Sequence, residues 1–142
     1  MTSRGWARLF CRMILGLIFF MAGWYKCFQM TPIGHATRFF TGPYADSWIP
    51  HWLLLAIGVA IPIVELAAGI LLIAGWRTRD ALIAVGAILI LVTYGHLLKE
   101  ALFSITGHIF PRTILMVLVF ILPGSEDRLA LDHWIPGGIR TD

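Results

Sequence analysis

The chain has 142 residues, of which 58% are hydrophobic and only 13% charged, with a formal net charge of +3 and a mean hydropathy of +0.81. Soluble domains carry about a quarter charged residues, so this composition excludes an ordinary water-soluble domain. The basic residues are scattered over segment ends, which excludes a nucleic-acid surface and leaves them as topology signals. The expected fold class is all-α: one domain over 1–142, built as an integral membrane bundle of four transmembrane helices.

A membrane-spanning helix needs about 20 apolar residues, and the apolar stretches supply four. The first is expected at about 7–28 and is read as a retained helix, since Trp24-Tyr25-Lys26 offers no small-residue cleavage site. A loop over 29–50 follows, broken by Pro32, Gly34, Gly42, Pro43 and Pro50. The second helix is expected at about 52–74 and the third at about 81–98, joined by Gly75-Trp76-Arg77-Thr78-Arg79-Asp80. The fourth, at about 105–122, is the weakest. The tail over 123–142 is polar and ends in Pro136-Gly137-Gly138, which should fray.

Lys and Arg orient the bundle. With a cytoplasmic N-terminus, Arg4, Arg8, Arg12, Arg77, Arg79, Arg128 and Arg140 lie inside, against Lys26, Arg38, Lys99 and Arg112 outside. The expectation is a multi-pass protein of the cell membrane with both termini cytoplasmic. Trp24, Tyr25, Trp48, Trp52 and Trp76 fall where interfacial aromatics belong.

The polar residues inside the spans carry the functional argument. On the first helix Arg12, Gly16, Phe19, Gly23 and Lys26 follow one helical stripe. On the second, Gly58, Pro62, Glu65, Gly69 and Leu72 repeat that spacing. Small residues on such stripes let helices approach closely. Pro62 withdraws the donor that the Gly58 carbonyl would otherwise receive. An acid inside a span is a functional-site candidate. Glu65 lies about 15 Å from Gly75 along its helix, and Arg112 about 16 Å from Pro123. Arg12 or Arg112 is therefore the expected partner of Glu65, in either a structural ion pair or a site of proton or ligand chemistry. If the fourth helix instead starts at Pro111, Arg112 sits at its outer end.

Cys11 and Cys27 are 16 residues apart, about 24 Å along a helix. They are too far apart to pair and are read as small apolar residues, with Cys27 open to a partner thiol. Of His35, His51, His96, His108 and His133, only His96 lies firmly in a span, beside Tyr94. His96, Tyr94 and His51 are candidate ligand-binding residues for a quinone headgroup, imidazole being a hydrogen-bond partner for carbonyls. Tyr94 and His96 point to different faces. No metal-ligand spacing appears, so no metal is expected.

Three segments carry a family resemblance: Arg12 to Lys26 (R-M-I-L-G-L-I-F-F-M-A-G-W-Y-K), Pro62 to Arg79 (P-I-V-E-L-A-A-G-I-L-L-I-A-G-W-R-T-R) and Asp127 to Asp132 (D-R-L-A-L-D). Together they resemble the DoxX family of small four-helix membrane proteins, in the wider grouping that holds DoxD-like and MauE-like proteins. In the third segment Asp127 and Ala130 replace the family's glycine and serine. The resemblance implies a four-helix bundle and an association with thiol, sulfur or quinone redox. Arg12, Lys26, Glu65 and Arg79 match motif positions.

No nucleophile–base pair, phosphate-cradling glycine loop or dithiol is present in the sequence, so the chain is not expected to catalyse on its own. The first expectation is an accessory subunit of a membrane redox system, quinone- or thiol/sulfur-linked. The second is an interaction or assembly module for another membrane or secreted protein. A transporter comes third, since no internal repeat is evident. The expected partners are the lipid bilayer and a membrane or periplasmic protein.

Overall fold

The computed structural model describes residues 1–135, so the expected fraying at Pro136-Gly137-Gly138 lies outside the described residues. The described chain is helical, with α1 at Ser3–Trp24, α2 at Pro32–Ala36, α3 at His51–Ala74, α4 at Thr78–Lys99, α5 at Ile109–Ile121 and α6 at Leu131–Trp134. Three stretches are long and apolar enough to cross a membrane: Ser3–Gln29, His51–Ala74 and Thr78–Lys99. The shorter α5 completes a membrane helical bundle.

Local chemistry sets the ends. Thr2 caps α1 by accepting from the Gly5 amide, and Pro32 opens α2 behind the capping hydroxyl of Thr31. Gly75 ends α3 in the left-handed conformation, φ +66°. The amides of Gly75 and Trp76 return to the carbonyls of Leu72 and Leu71, a closure that glycine makes without a Cβ penalty.

α1 and α3 form the antiparallel pair around which the rest is arranged. A Cβ on Gly23 would lie 2.4 Å from the Leu66 amide nitrogen, and one on Gly69 would lie 2.3 Å from that of Phe20. Gly16 meets Leu72 and Ile73 in the same way. The two glycine stripes therefore face each other, as the sequence spacing implied. Against this pair pack Leu82, Val85, Ile88 and Leu89 of α4 and Val119 of α5, closing a core with Leu15, Phe19, Ile61, Ala68 and Leu72.

Three segments depart from expectation. The loop over 29–50 is largely wound: a π turn at Tyr25–Gln29 prolongs α1, and a second at Thr37–Thr41 prolongs α2. In the register of Gly23 on Leu66, α1 with its π turn stops about nine residues short of the start of α3, or about 13 Å. α2 fills that space, with Ala36 against Gly58. The fourth helix is Ile109–Ile121 rather than 105–122, because residues 100–108 are irregular and exposed. At 13 residues it is about 20 Å long, less than the ~30 Å hydrocarbon thickness. The tail over 123–135 is not a free end. It tucks beneath the bundle, where Thr2 Oγ1 donates to Glu126 Oε2 and a Cβ on Gly5 would collide with the Glu126 carbonyl.

Gly69→Ala is expected to force α1 and α3 apart at a cost of about 1–3 kcal/mol, lowering the thermal midpoint of the detergent-solubilised protein. Gly107→Ala, which meets nothing within 4 Å, should leave that midpoint unchanged.

Candidate functional site

Two charged clusters sit at opposite ends of the α1–α3 pair. At the tail end, Arg12 is 1% exposed and Asp127 is 0% exposed. Arg12 Nε donates to Asp127 Oδ2 at 2.8 Å, and Nη1 donates to the Leu72 carbonyl and, at 2.9 Å, to that of Ile73. Those carbonyls belong to the last turn of α3, where a cation is favoured. Arg8 does the same for α5, donating to the carbonyls of Val119 and Leu122. Asp132 accepts from the amides of Arg77 and Thr78 at 2.7 and 2.9 Å, capping the start of α4 across 54 residues of sequence. The D-R-L-A-L-D segment thus fastens the tail to three helices. This cluster is architectural.

Asp127→Ala would leave the Arg12 guanidinium buried without its counter-charge, an expected loss of about 3–5 kcal/mol. Asp132→Ala removes a cap and should cost about 1 kcal/mol. Denaturant unfolding in detergent will rank the two variants.

The other cluster has different chemistry. Lys26, in the π turn after α1, donates to both oxygens of Glu65 at 2.9 and 2.7 Å. Glu65 is buried, whereas the Lys26 side chain is 24% exposed. Neither expected partner reaches the acid. Arg12 is committed to Asp127, and Arg112, in the first turn of α5, lies over the Phe19 ring at 5.8 Å. The correction follows from register: Gly23 on Leu66 brings the next turn of α1 level with Glu65, while Arg12 lies level with the end of α3.

One turn beyond Glu65 along the same stripe is Pro62, and one turn further is Gly58. The Gly58 carbonyl, deprived of its helical donor by Pro62, receives a hydrogen bond from His35 Nδ1 at 2.7 Å. A carbonyl only accepts, so Nδ1 carries the proton and Nε2 is bare in the neutral ring. His35 is buried between the rings of Phe39 and Phe40, with centroids at 5.2 and 5.6 Å. That burial holds its pKa below the usual imidazole value; Lys26 pushes the same way, while the Gly58 bond and Glu65 push against it. Thr31, which caps the start of α2, has φ +67°, a strained conformation for a β-branched residue.

The other sequence candidates stand apart from this cluster. His96 is exposed and stacked on Phe103 at 4.2 Å with rings 5° from parallel, and Tyr94 is half exposed. His51 is the exposed first residue of α3. Cys11 and Cys27 are free thiols at opposite ends of the first span. Among the described residues, no three His, Cys, Asp or Glu side chains are grouped to hold a metal ion.

The geometry combines a glycine-packed pair of helices, an ion pair within the bundle and a short wound segment returning between the first two spans. The family described as "Methylamine utilisation protein MauE" matches residues 4–108, from the start of α1 to the residue before α5. The chain belongs to the MauE family. Of the grouping that the sequence motifs resemble, MauE is the member that matches. The matched region holds Lys26, Glu65, His35, Gly58 and Pro62, and ends before Asp127 and Asp132. No curated protein and no solved structure matches the chain.

Burial makes the Lys26–Glu65 pair testable by charge balance. Glu65→Gln strands Lys26, and Lys26→Gln strands Glu65. Each is expected to cost about 3–5 kcal/mol, while the double variant recovers most of that loss. Thermal unfolding of the four proteins measures the coupling. Additive losses would mean that the two charges are not paired.

Proposed function

We propose that this MauE-family protein is a non-catalytic accessory subunit of a membrane redox system, quinone- or thiol/sulfur-linked, and that Lys26, Glu65 and His35 form its working site. The observation that carries this reading is a charged pair held at membrane depth, with one partner still partly accessible. Intramembrane charges are expensive, and they mark ligand or proton sites more often than they add stability. The family's description adds a direction. It names methylamine utilisation, and a membrane subunit is suited to hold or position a redox carrier for such a system. Cys27, in the π turn that ends the first span, is a free thiol open to a partner.

An interaction or assembly role is the second reading, and one observation favours it. Residues 100–108 are exposed, with Phe103 bonded back to Glu100 and Phe110 to Ile105 as the backbone turns there. Irregular backbone at membrane depth must be covered by protein or by water, which suits docking against another membrane protein.

We place the protein in the cell membrane with the tail end cytoplasmic. Both ends of the described chain meet there through Thr2 and Glu126, and the exposed Arg4, Arg77, Arg79 and Arg128 belong to the segments at that end, in keeping with the bias of basic residues toward the cytoplasm.

Native mass spectrometry of gently extracted protein tests the proposal. Wild type is expected to retain a quinone or a redox protein partner, and the charge-neutral Lys26→Gln/Glu65→Gln protein should lose it while remaining folded. Retention of a partner with no redox group would move the assignment to the assembly role. Equal retention by both proteins would remove the pair from the site.

A further inference from the structure

The segment from Thr31 to Gly42 is attached to the bundle in an unusual way. Its wound part lies on the upper half of α3, where the Gly58 backbone touches Ala36 and a Cβ on Gly58 would lie 2.6 Å from Ala36 Cα and 3.0 Å from Phe40. Among the described residues its one polar anchor is the bond from His35 to the carbonyl that Pro62 leaves open. Its entry is the strained Thr31. The seat is on the same stripe of α3 as Glu65, directly beyond the ion pair. We propose that residues 31–42 form a strap that caps the Lys26–Glu65 site, latched by His35 on the Gly58 carbonyl and released when His35 takes up a proton.

Protonation and seating of the strap are linked. In the seated strap the ring is neutral, buried between two phenylalanines, and its bare Nε2 has no donor beside it among the described residues. A second proton would put a charge there. Three elements pack against α2, and their titratable or charged groups are known. The π turn after α1 brings Lys26, with Tyr25 and Cys27 beside it; α3 brings Glu65 and the exposed His51. The π turn after α2 brings Arg38, whose guanidinium is turned onto the Phe39 ring at 5.6 Å. Lys26 opposes the new charge and Glu65 favours it, but Glu65 is already bound to Lys26 through both oxygens. Once the strap lifts, His35 regains water and binds the proton at its ordinary value. The open form therefore holds more protons than the seated form below about pH 6.5, and the seat weakens as pH falls. Above that pH the latch is at full strength.

This inference rests on the proposed site at Lys26 and Glu65 but not on any partner, so its test reads the strap alone. The protein is placed in lipid nanodiscs, and amide hydrogen exchange of residues 31–42 is followed from pH 8 to pH 5, corrected for intrinsic exchange. Wild type is expected to lose protection by up to tenfold per pH unit below about 6.5. His35→Asn retains an N–H donor for the Gly58 carbonyl but does not titrate, so it should remain protected throughout. His35→Ala should be unprotected throughout. A flat wild-type profile would overturn the proposal, as would a His35→Asn profile that falls like wild type. A pH-dependent strap on a protein that retains no redox group would leave the latch standing and reject only the redox reading.

Discussion

The contact on which everything else depends is the glycine-on-backbone packing of α1 against α3. Gly16, Gly23 and Gly69 remove the side chains that would hold the two helices apart. In a bilayer, where lipid is as apolar as leucine, close van der Waals contact of this kind is the main source of helix association. It also fixes register. Once Gly23 lies on Leu66, Lys26 must fall beside Glu65, and Arg12 must fall beside the carbonyls that end α3. The two charge clusters are consequences of one packing decision, and neither could slide without stranding a buried charge.

The register also explains why the Lys26 end of the bundle is built differently from the tail end. α1 stops beside Ala60, and the start of α5 is set by the anchoring of its far end through Arg8. α3 and α4 continue beyond both. The strap over 31–42 takes the place of the missing end of α1, and Tyr44 reaches across to the Gly95 carbonyl of α4. The tail end is closed by carboxylates, carbonyls and arginines acting together. The Lys26 end is closed by a short segment with, among the described residues, one polar anchor. Local stability follows the density of such contacts, so motion is concentrated where the candidate site lies. Between the clusters the core is apolar, through Leu15, Phe19, Ile61, Ala68 and Leu72.

Much of this was legible in the sequence because the hydropathy of long spans and the spacing of small residues are local signals. Both stripes, Pro62 with its withdrawn donor and the ion-pair candidates can be named from spacing alone. The partner of Glu65 could not, because depth counted from helix ends assumes that all helices begin at one level, and α1 does not. Lys26 is a buried polar candidate on the right stripe, but the charge count puts it outside, away from the depth at which Glu65 is placed. His35 was hidden inside a loop broken by prolines and glycines, though a signal existed. Pro62 leaves a carbonyl without a donor, and such a carbonyl demands one from elsewhere. The acids of the tail were visible as a motif, but their role was not, since a cap supplied from 54 residues away leaves no mark in local pattern. His96 and Tyr94 lie within a span, as the sequence indicates, but the far end of α4 rises past its neighbours and leaves both exposed.

The choice of cation at each cluster separates structure from function. Arginine at the tail-end cluster presents a planar fork that bonds a carboxylate and two carbonyls at once, and it does not lose its proton. It therefore ties down a tail and two helix ends permanently. Lysine at the other cluster is a point charge on a flexible stem, bound to one carboxylate and still partly open to its surroundings. Such a pair can part and re-form as the flexible stem moves. An arginine at position 26 would hold Glu65 more firmly and would give up that freedom. The pair that can open is also the one lying beneath a segment that can lift, and this coincidence is why the working site is assigned to Lys26 and Glu65 rather than to the better-buried Arg12 and Asp127.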